Sequence, residues 1–286
     1  MLKKDLDSKN LSMKDKLKEM QRNNASLLAT NFYNFETLCG VLKAASAMQE
    51  PVILQLTQSS IDYMTLPVAV AMARSGLKEY NVQGWLHLDH SSSYELVARC
   101  LDAGFDSVMI DASEKSMEEN IEVTTRVVRL AESYDANVEA ELGYVAKLGQ
   151  STDKTGFTEP GEAKYFVEET GVNALAVAIG SAHGFYKKEP KLDLERLEQI
   201  HAITSAALVL HGGSGIPGAT LREAIKRGIC KINLATEIKN IFMATLKDCF
   251  VNNEEIDLRK VFPPAIQAVT DLVKEKLKIV KNEPYA

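Results

Sequence analysis

Trp85-Leu86-His87-Leu88-Asp89-His90-Ser91 decides the reading of this chain. Its first residues have the apolar content of a buried strand, yet it ends with a carboxylate beside an imidazole. Two more histidines recur at comparable places: His183 in Ala-Val-Ala-Ile-Gly-Ser-Ala-His-Gly, and His211 in Leu-Val-Leu-His-Gly-Gly-Ser-Gly. Each follows an apolar run and precedes glycine. Histidines at the ends of three separate strands converge only if those strands lie parallel in one sheet or barrel. Three imidazoles with an open fourth position are a catalytic zinc pattern.

Working outward, strand-like runs alternate with helical patterns. The strands are expected at Ser26–Phe32, Val52–Leu56, Gly84–Asp89, Ser107–Asp111, Asn137–Leu142, Ala174–Gly180, Ala207–Leu210 and Lys231–Leu234. Between them lie helical periods such as Asn34–Met48, Leu66–Ser75, Ser93–Ala103 and Met117–Tyr134. Eight strands alternating with helices predict a closed (β/α)8 barrel, an α/β TIM barrel. A doubly wound open sheet is the competitor, but functional-looking residues end nearly all eight strands rather than one switch point. Residues 1–24 read as an amphipathic leader helix over the barrel bottom, with Leu11, Met13, Leu17 and Met20 at near-helical spacing. Residues 237–286 read as C-terminal helices with a break at Pro263-Pro264 before Ala265–Val280. One domain spanning 1–286 is the simplest organisation.

Composition narrows the function classes. The 286 residues are 45% hydrophobic and 25% charged, ordinary for a globular protein, and the net charge of −6 argues against a nucleic-acid partner. Cys39, Cys100, Cys230 and Cys249 lie far apart with no CxxC spacing, which fits a reducing, cytoplasmic compartment. The charged start Met1-Leu2-Lys3-Lys4-Asp5 leads into no apolar h-region, and no run is long enough to span a membrane.

His90, His183 and His211 are the metal candidates. His87 reads as a supporting residue, and His201, mid-helix, as exposed. Asp89 can take a proton from a substrate hydroxyl if the strand end bends to bring it beside His90 at the mouth. Asp111 and Glu141 end neighbouring strands as alternative ligands or as carboxylates orienting the histidines, and Glu139 shares the face of Glu141. His211-Gly212-Gly213-Ser214-Gly215 and Asn233-Leu234-Ala235-Thr236 follow strands seven and eight. In such barrels these two loops often bind phosphate, with glycines admitting the anion to the backbone and Ser214 and Thr236 adding donors.

With these residues in view, the chain resembles the class II, zinc-dependent ketose-bisphosphate aldolases of the fructose- and tagatose-bisphosphate type. The resemblance runs from about Ala25. It is carried by Asn31, Pro51-Val52-Ile53-Leu54-Gln55, His87-Leu88-Asp89-His90, Asp102-Ala103-Gly104-Phe105, Met109-Ile110-Asp111-Ala112-Ser113, Val138-Glu139-Ala140-Glu141-Leu142-Gly143, His183-Gly184, His211-Gly212-Gly213-Ser214-Gly215-Ile216-Pro217 and Lys231-Ile232-Asn233-Leu234-Ala235-Thr236-Glu237. It implies zinc on His90, His183 and His211, with Asp89 removing the C4 hydroxyl proton. C3–C4 cleavage then leaves a dihydroxyacetone phosphate enediolate, stabilised by zinc and Asn233. It further implies substrate and phosphate contacts at Asn31, Thr57, Gly184, Gly212, Gly213, Ser214, Asn233, Ala235 and Thr236, and a monovalent cation, Na+ or K+, that assists. A cytoplasmic homodimer or homotetramer of carbohydrate metabolism, of the glycolytic type, is the corresponding setting.

The sequence departs from that pattern in places. Ser91 follows the Asp-His pair where the family usually has Gly, Ala, Cys or His, and Thr57-Gln58-Ser59 stands where Ser-Glu-Gly is common. After Glu141-Leu142-Gly143 the chain reads Tyr144-Val145-Ala146-Lys147-Leu148-Gly149-Gln150-Ser151-Thr152-Asp153, without the acid that shuttles the C1 proton in the family. Asp153, Tyr144 or Lys147 is a candidate substitute. An isomerase or epimerase working through the same enediolate, a different aldehyde partner, and a weakly active sugar-phosphate binder are therefore the competing functions. Lys274 and Lys276 are candidates for a second phosphate, with solvated side chains as the alternative.

Overall fold

The computed structural model describes residues 11–143, 145–147, 156–184, 186, 190–251 and 253–281. Ten strands are present among them: β1 (Leu27–Asn31), β2 (Val52–Leu56), β3 (Gly84–Ser91), β4 (Ser107–Ile110), β5 (Asn137–Leu142), β6 (Ala146–Lys147), β7 (Ala174–Val177), β8 (Ala182–His183), β9 (Ala207–Leu210) and β10 (Ile229–Leu234). The helices are α1 (Met13–Arg22), α2 (Phe35–Met48), α3 (Gln58–Met64), α4 (Leu66–Glu79), α5 (Tyr94–Asp102), α6 (Met117–Glu132), α7 (Pro160–Thr170), α8 (Leu194–Ile203), α9 (Gly218–Lys226), α10 (Thr236–Cys249) and α11 (Leu258–Val280). Eight strands close a barrel in the order β1-β10-β9-β7-β5-β4-β3-β2, all neighbours parallel. The (β/α)8 expectation holds. The two short strands, β6 and β8, pair with each other outside the barrel.

The two-residue period of a strand sorts the barrel into an outer and an inner surface. Leu54, Leu56, Leu86, Leu88, Val108, Ile110, Val138, Ala140, Leu208 and Leu210 face outward and join the large core beneath the helices. The inward residues change character along the axis. At the N-terminal end Leu27, Ala29, Ile53, Trp85, Ala174, Ala176 and Val209 form a smaller apolar cluster. Met13, Leu17 and Met20 of α1 complete it, and Trp85 Nε1 donates to the Leu11 carbonyl at 3.1 Å. The amphipathic leader thus plugs the bottom of the barrel. Higher up, His87, Ser107, Asn137, Glu139 and Lys231 are buried, and the ionisable residues at the top follow.

Local chemistry sets the connections. A capping box of Asn34 with Thr37 starts α2, and a second, Ser116 with Glu119, starts α6. Barrel strand β7 stops at Val177 rather than running to Gly180, because the Ala178 N–H donates to Thr158 Oγ1 at 2.8 Å instead of to a neighbouring strand. One helix is added and one expectation fails. A helix, α3, follows β2 directly, with Thr57 as its N-cap. The anticipated break at Pro263-Pro264 is absent, since both prolines lie within α11. They are exposed near its start, where the carbonyls of exposed Arg259 and Lys260, left without proline N–H donors, can turn to water.

Candidate active site

Asp89 and His90 share the mouth because of a bulge. Leu88 pairs with Val108 and Ser91 with Ile110, so three steps along β3 oppose two along β4. The extra residue is His90, whose φ of 46° turns its ring from the outer face toward the barrel axis. Without that turn, alternation would point Asp89 and His90 to opposite faces. The Asp111 N–H donates to the Ser91 carbonyl at 2.8 Å and closes the bulge.

His90, His183 and His211 form one cluster, with ring centroids 4.9 Å apart for His90 and His183, 4.6 Å for His90 and His211, and 5.7 Å for His183 and His211. Glu141 joins them, and one donor atom from each of the four residues lies within 4.8 Å of the others. Each of two rings is held from behind by a carboxylate. His90 Nδ1 lies 2.8 Å from Asp111 Oδ2, and His211 Nε2 lies 2.9 Å from Glu139 Oε1. The opposite atoms, His90 Nε2 and His211 Nδ1, are buried without an aligned hydrogen-bond partner among the described residues, as is Glu141 Oε2. His211 Nδ1 and Glu141 Oε2 approach to 2.9 Å, close but not aligned with each other. Imidazole nitrogens and a carboxylate oxygen converging without aligned partners fit a zinc-type cation, which would displace any proton they carry.

Charges follow from these contacts. Burial alone would lower His211, but the hydrogen bond that it donates to Glu139 and the contact with Glu141 outweigh it and raise its pKa to about 10. His183 is pushed down to about 3 by burial and by the neighbouring His90 and His211. Burial works to raise the Asp89 carboxyl, yet His90, His211, Lys231 and the Asn31 hydrogen bond together hold it below its usual range. Asp111 is also lowered, with the His90 and Ser113 contacts overcoming burial. The metal-free site therefore holds Asp89 as a carboxylate.

Asp89 is oriented by two amides. Asn31 Nδ2 donates to Oδ2 at 2.9 Å, and Asn233 Nδ2 approaches Oδ1 at 3.4 Å. Gln55 Nε2 donates to Asn31 Oδ1 at 3.1 Å, which fixes the Asn31 amide with its nitrogen toward Asp89. Beside this carboxylate lies a small cavity lined by Asn31, Asp89, His90, His183, Gly184, Gly212, Ser214, Asn233, Ala235 and Thr236. Ala235 caps α10 without a side-chain hydrogen bond, leaving that helix N-terminus facing the cavity. At Gly212 φ is 69° and a Cβ would lie 2.3 Å from the Ala182 carbonyl oxygen, so only glycine fits between the two loops.

Some sequence candidates sit elsewhere. Thr57 is engaged at the start of α3, its Oγ1 accepting from the Ser60 N–H at 3.4 Å, and it does not line the cavity. Gly213 packs under the cavity, its N–H donating to the Asn233 carbonyl at 3.1 Å. Asp111 stands behind His90, outside the four-residue donor group. Lys276 is buried, against the solvated reading, and pairs with Glu237 at 2.8 Å. His201 is half-buried rather than exposed, since its ring packs where a side chain at Gly228 would otherwise project. Tyr144, Asp153 and the Lys147 side chain, the candidates for the missing loop acid, lie outside the described residues.

Two contributors, Lys231 and Tyr186, escaped the sequence reading. Lys231 and Glu139 form a fully buried pair, with Nζ 2.8 Å from Oε2. Tyr186 Oη accepts from the Ala182 N–H at 2.7 Å and donates to the Gly212 carbonyl at 2.9 Å, tying the His183 loop to the glycine loop. For Lys231 the clue was present, since alternation along Lys231-Ile232-Asn233 puts it inside the barrel. For Tyr186 there was none.

A sequence profile of the family "Fructose-bisphosphate aldolase class-II" matches residues 11–284. The chain belongs to that family. Among solved structures, the YdjI aldolase from Escherichia coli K12 superposes with a TM-score of 0.84 at 31% identity, covering 95% of this chain and 98% of that one. A Coccidioides immitis protein, provisionally assigned as a fructose-1,6-bisphosphate aldolase, gives 0.85 at 26% identity, covering 95% and 97%. Fructose-bisphosphate aldolase from Campylobacter jejuni gives 0.76 at 21%, covering 94% and 95%, which speaks to the fold alone. The aldolase-family chain is thus a metal-dependent aldolase whose barrel end carries the ionisable cluster. None of its described helices is long and apolar enough to cross a membrane.

Proposed function

We propose that this aldolase cleaves a ketose 1-phosphate or 1,6-bisphosphate of the tagatose or fructose type, releasing dihydroxyacetone phosphate and an aldehyde. The observation that carries the reading is that the Asp89 carboxylate lines one small cavity together with His90, His183, Gly184 and Gly212. The residues that would hold zinc are His90, His183 and His211, with Glu141 as the nearby fourth donor. A bound zinc ion would supply Lewis acidity, stabilising the negative charge that develops on the ketose oxygens.

The protein's own groups account for the rest. Asp89 Oδ1, approached only loosely by Asn233, accepts the C4 hydroxyl proton, while Asn31 holds Oδ2 and fixes the carboxylate plane. Removal of that proton lets the C4 oxygen form its carbonyl as the C3–C4 bond breaks, and the bonding electrons remain on the three-carbon fragment. The Asn233 amide is placed to donate to that fragment's oxygen. The start of α10, with the Ser214 and Thr236 hydroxyls, receives the phosphate and so sets the distance of C4 from Asp89.

The test is cleavage of a panel of ketose 1-phosphates and 1,6-bisphosphates, followed by dihydroxyacetone phosphate release with and without a chelator. Chelator-sensitive cleavage of one sugar, restored by zinc, is expected. No cleavage of any member by zinc-loaded protein would remove this reading in favour of an isomerase or epimerase acting through the same enediolate.

A further inference from the structure

Glu237 sits where the helix dipole favours an acid, but also beside the proposed anion site. It lies in the first turn of α10, one residue after Thr236 of the proposed phosphate cavity, so its charge opposes an incoming anion. Its contacts explain its presence there. Oε1 accepts from the Gly215 N–H, and its own N–H donates to Ser214 Oγ at 3.3 Å. The loop after β9 is thereby fastened to the helix after β10 from both ends of one residue. Oε2 faces the other way and pairs with Lys276 Nζ at 2.8 Å, the two side chains only 14% and 10% exposed.

We propose that Lys276 and Glu237 form a positioning clamp for the phosphate loop, in which Lys276 cancels the Glu237 charge while Glu237 holds Gly215. The inference rests on the phosphate end of the reading above. Neither residue lines the cavity, so the pair acts through Gly215 and Ser214 rather than on the substrate. Glu237 holds the Gly212–Gly215 turn open toward the cavity by occupying the Gly215 amide from behind. Lys276 comes from α11, which packs along α10 and α2, so the clamp also ties the loop to the outer wall of the barrel. Removing Lys276 alone leaves a poorly solvated carboxylate beside the anion site. Removing both charges with Glu237→Gln and Lys276→Met keeps an acceptor for Gly215 and relieves the repulsion.

The experiment measures binding of inorganic phosphate to zinc-loaded protein by calorimetry, with amide hydrogen exchange at Gly215 recorded in parallel. Lys276→Met is expected to raise the phosphate Kd by about tenfold or more, the scale of an uncompensated charge at a binding site. Zinc affinity should be unchanged and Gly215 exchange faster. The double variant should recover most of the phosphate affinity, a rescue that lost packing at Lys276 would not produce. Equal phosphate affinity in Lys276→Met and unsubstituted protein, or failure of the double variant to recover, overturns the clamp. If the unsubstituted protein binds no phosphate, the phosphate cavity proposed above falls and the clamp with it, whereas unchanged Gly215 exchange in Lys276→Met with phosphate binding intact would sink the clamp alone.

Discussion

His211 Nε2 meets Glu139 Oε1 at 2.9 Å with both side chains fully buried, and the same carboxylate holds Lys231 at 2.8 Å. One acid therefore fixes an imidazole at the site and neutralises a lysine inside the barrel. Glu139→Gln should separate these roles. A buried lysine without its counter-charge costs about 3–5 kcal/mol. Loss of the carboxylate behind His211 should weaken metal binding by roughly 10–100-fold. Denaturant titration and a competitive metal-chelator titration read the two effects, and a variant matching the parent in both would refute the assignment of Glu139.

Metal affinity should depend on pH well above neutrality. In the metal-free protein His211 is raised to about 10, against an ordinary value of about 6.5 in the unfolded chain. Its protonated form thus stabilises the fold fully below the unfolded pKa, and that contribution is lost as pH rises through the folded one. Binding a cation must displace this proton, so affinity should climb by up to about tenfold per pH unit between pH 7 and 10. Calorimetry at pH 7 in buffers of different ionisation heat should show a proton released. An affinity flat across that interval would mean that His211 is already neutral.

Asp89→Asn should reduce the cleavage rate by roughly 10²–10⁴-fold while leaving zinc and phosphate binding near those of the parent. Asparagine keeps the shape and an acceptor for Asn31 but cannot take the C4 proton. A variant retaining more than a tenth of the parental rate would place the base elsewhere, and the loop after β5 would be the next place to look.

The sequence showed the barrel clearly because its strands alternate twice over, apolar to helix and apolar to interior, and because Leu86-His87-Leu88-Asp89 declares which face changes chemistry. The three clustered histidines were legible for the same reason. The bulge at His90 was not, since a non-glycine residue at positive φ leaves no mark in composition, and the juxtaposition of Asp89 with His90 depends on it. Lys231 misleads because lysine ordinarily reads as solvated, and only its distant partner Glu139 makes burial tolerable. Lys276 misleads in the same way through Glu237. Thr57 was given as a substrate contact by the family resemblance, but a helix after β2 takes its hydroxyl as a cap.

Tyr186 offers the sharpest test of how the mouth is held. Its hydroxyl is shared between the Ala182 N–H, one residue before His183, and the carbonyl of Gly212, one residue after His211. Both neighbouring residues belong to the metal-candidate cluster, so the bridge sets the spacing of two histidines through the backbone. Tyr186→Phe removes the oxygen and keeps the ring, leaving a donor and an acceptor to find water. The stability loss should be about 1–3 kcal/mol. The more informative result is the zinc off-rate, which should rise because the His183 loop is freed from the Gly212 loop. A stability loss without any change in zinc off-rate would show that the β6–β8 pairing alone holds the His183 loop, and that Tyr186 serves only packing.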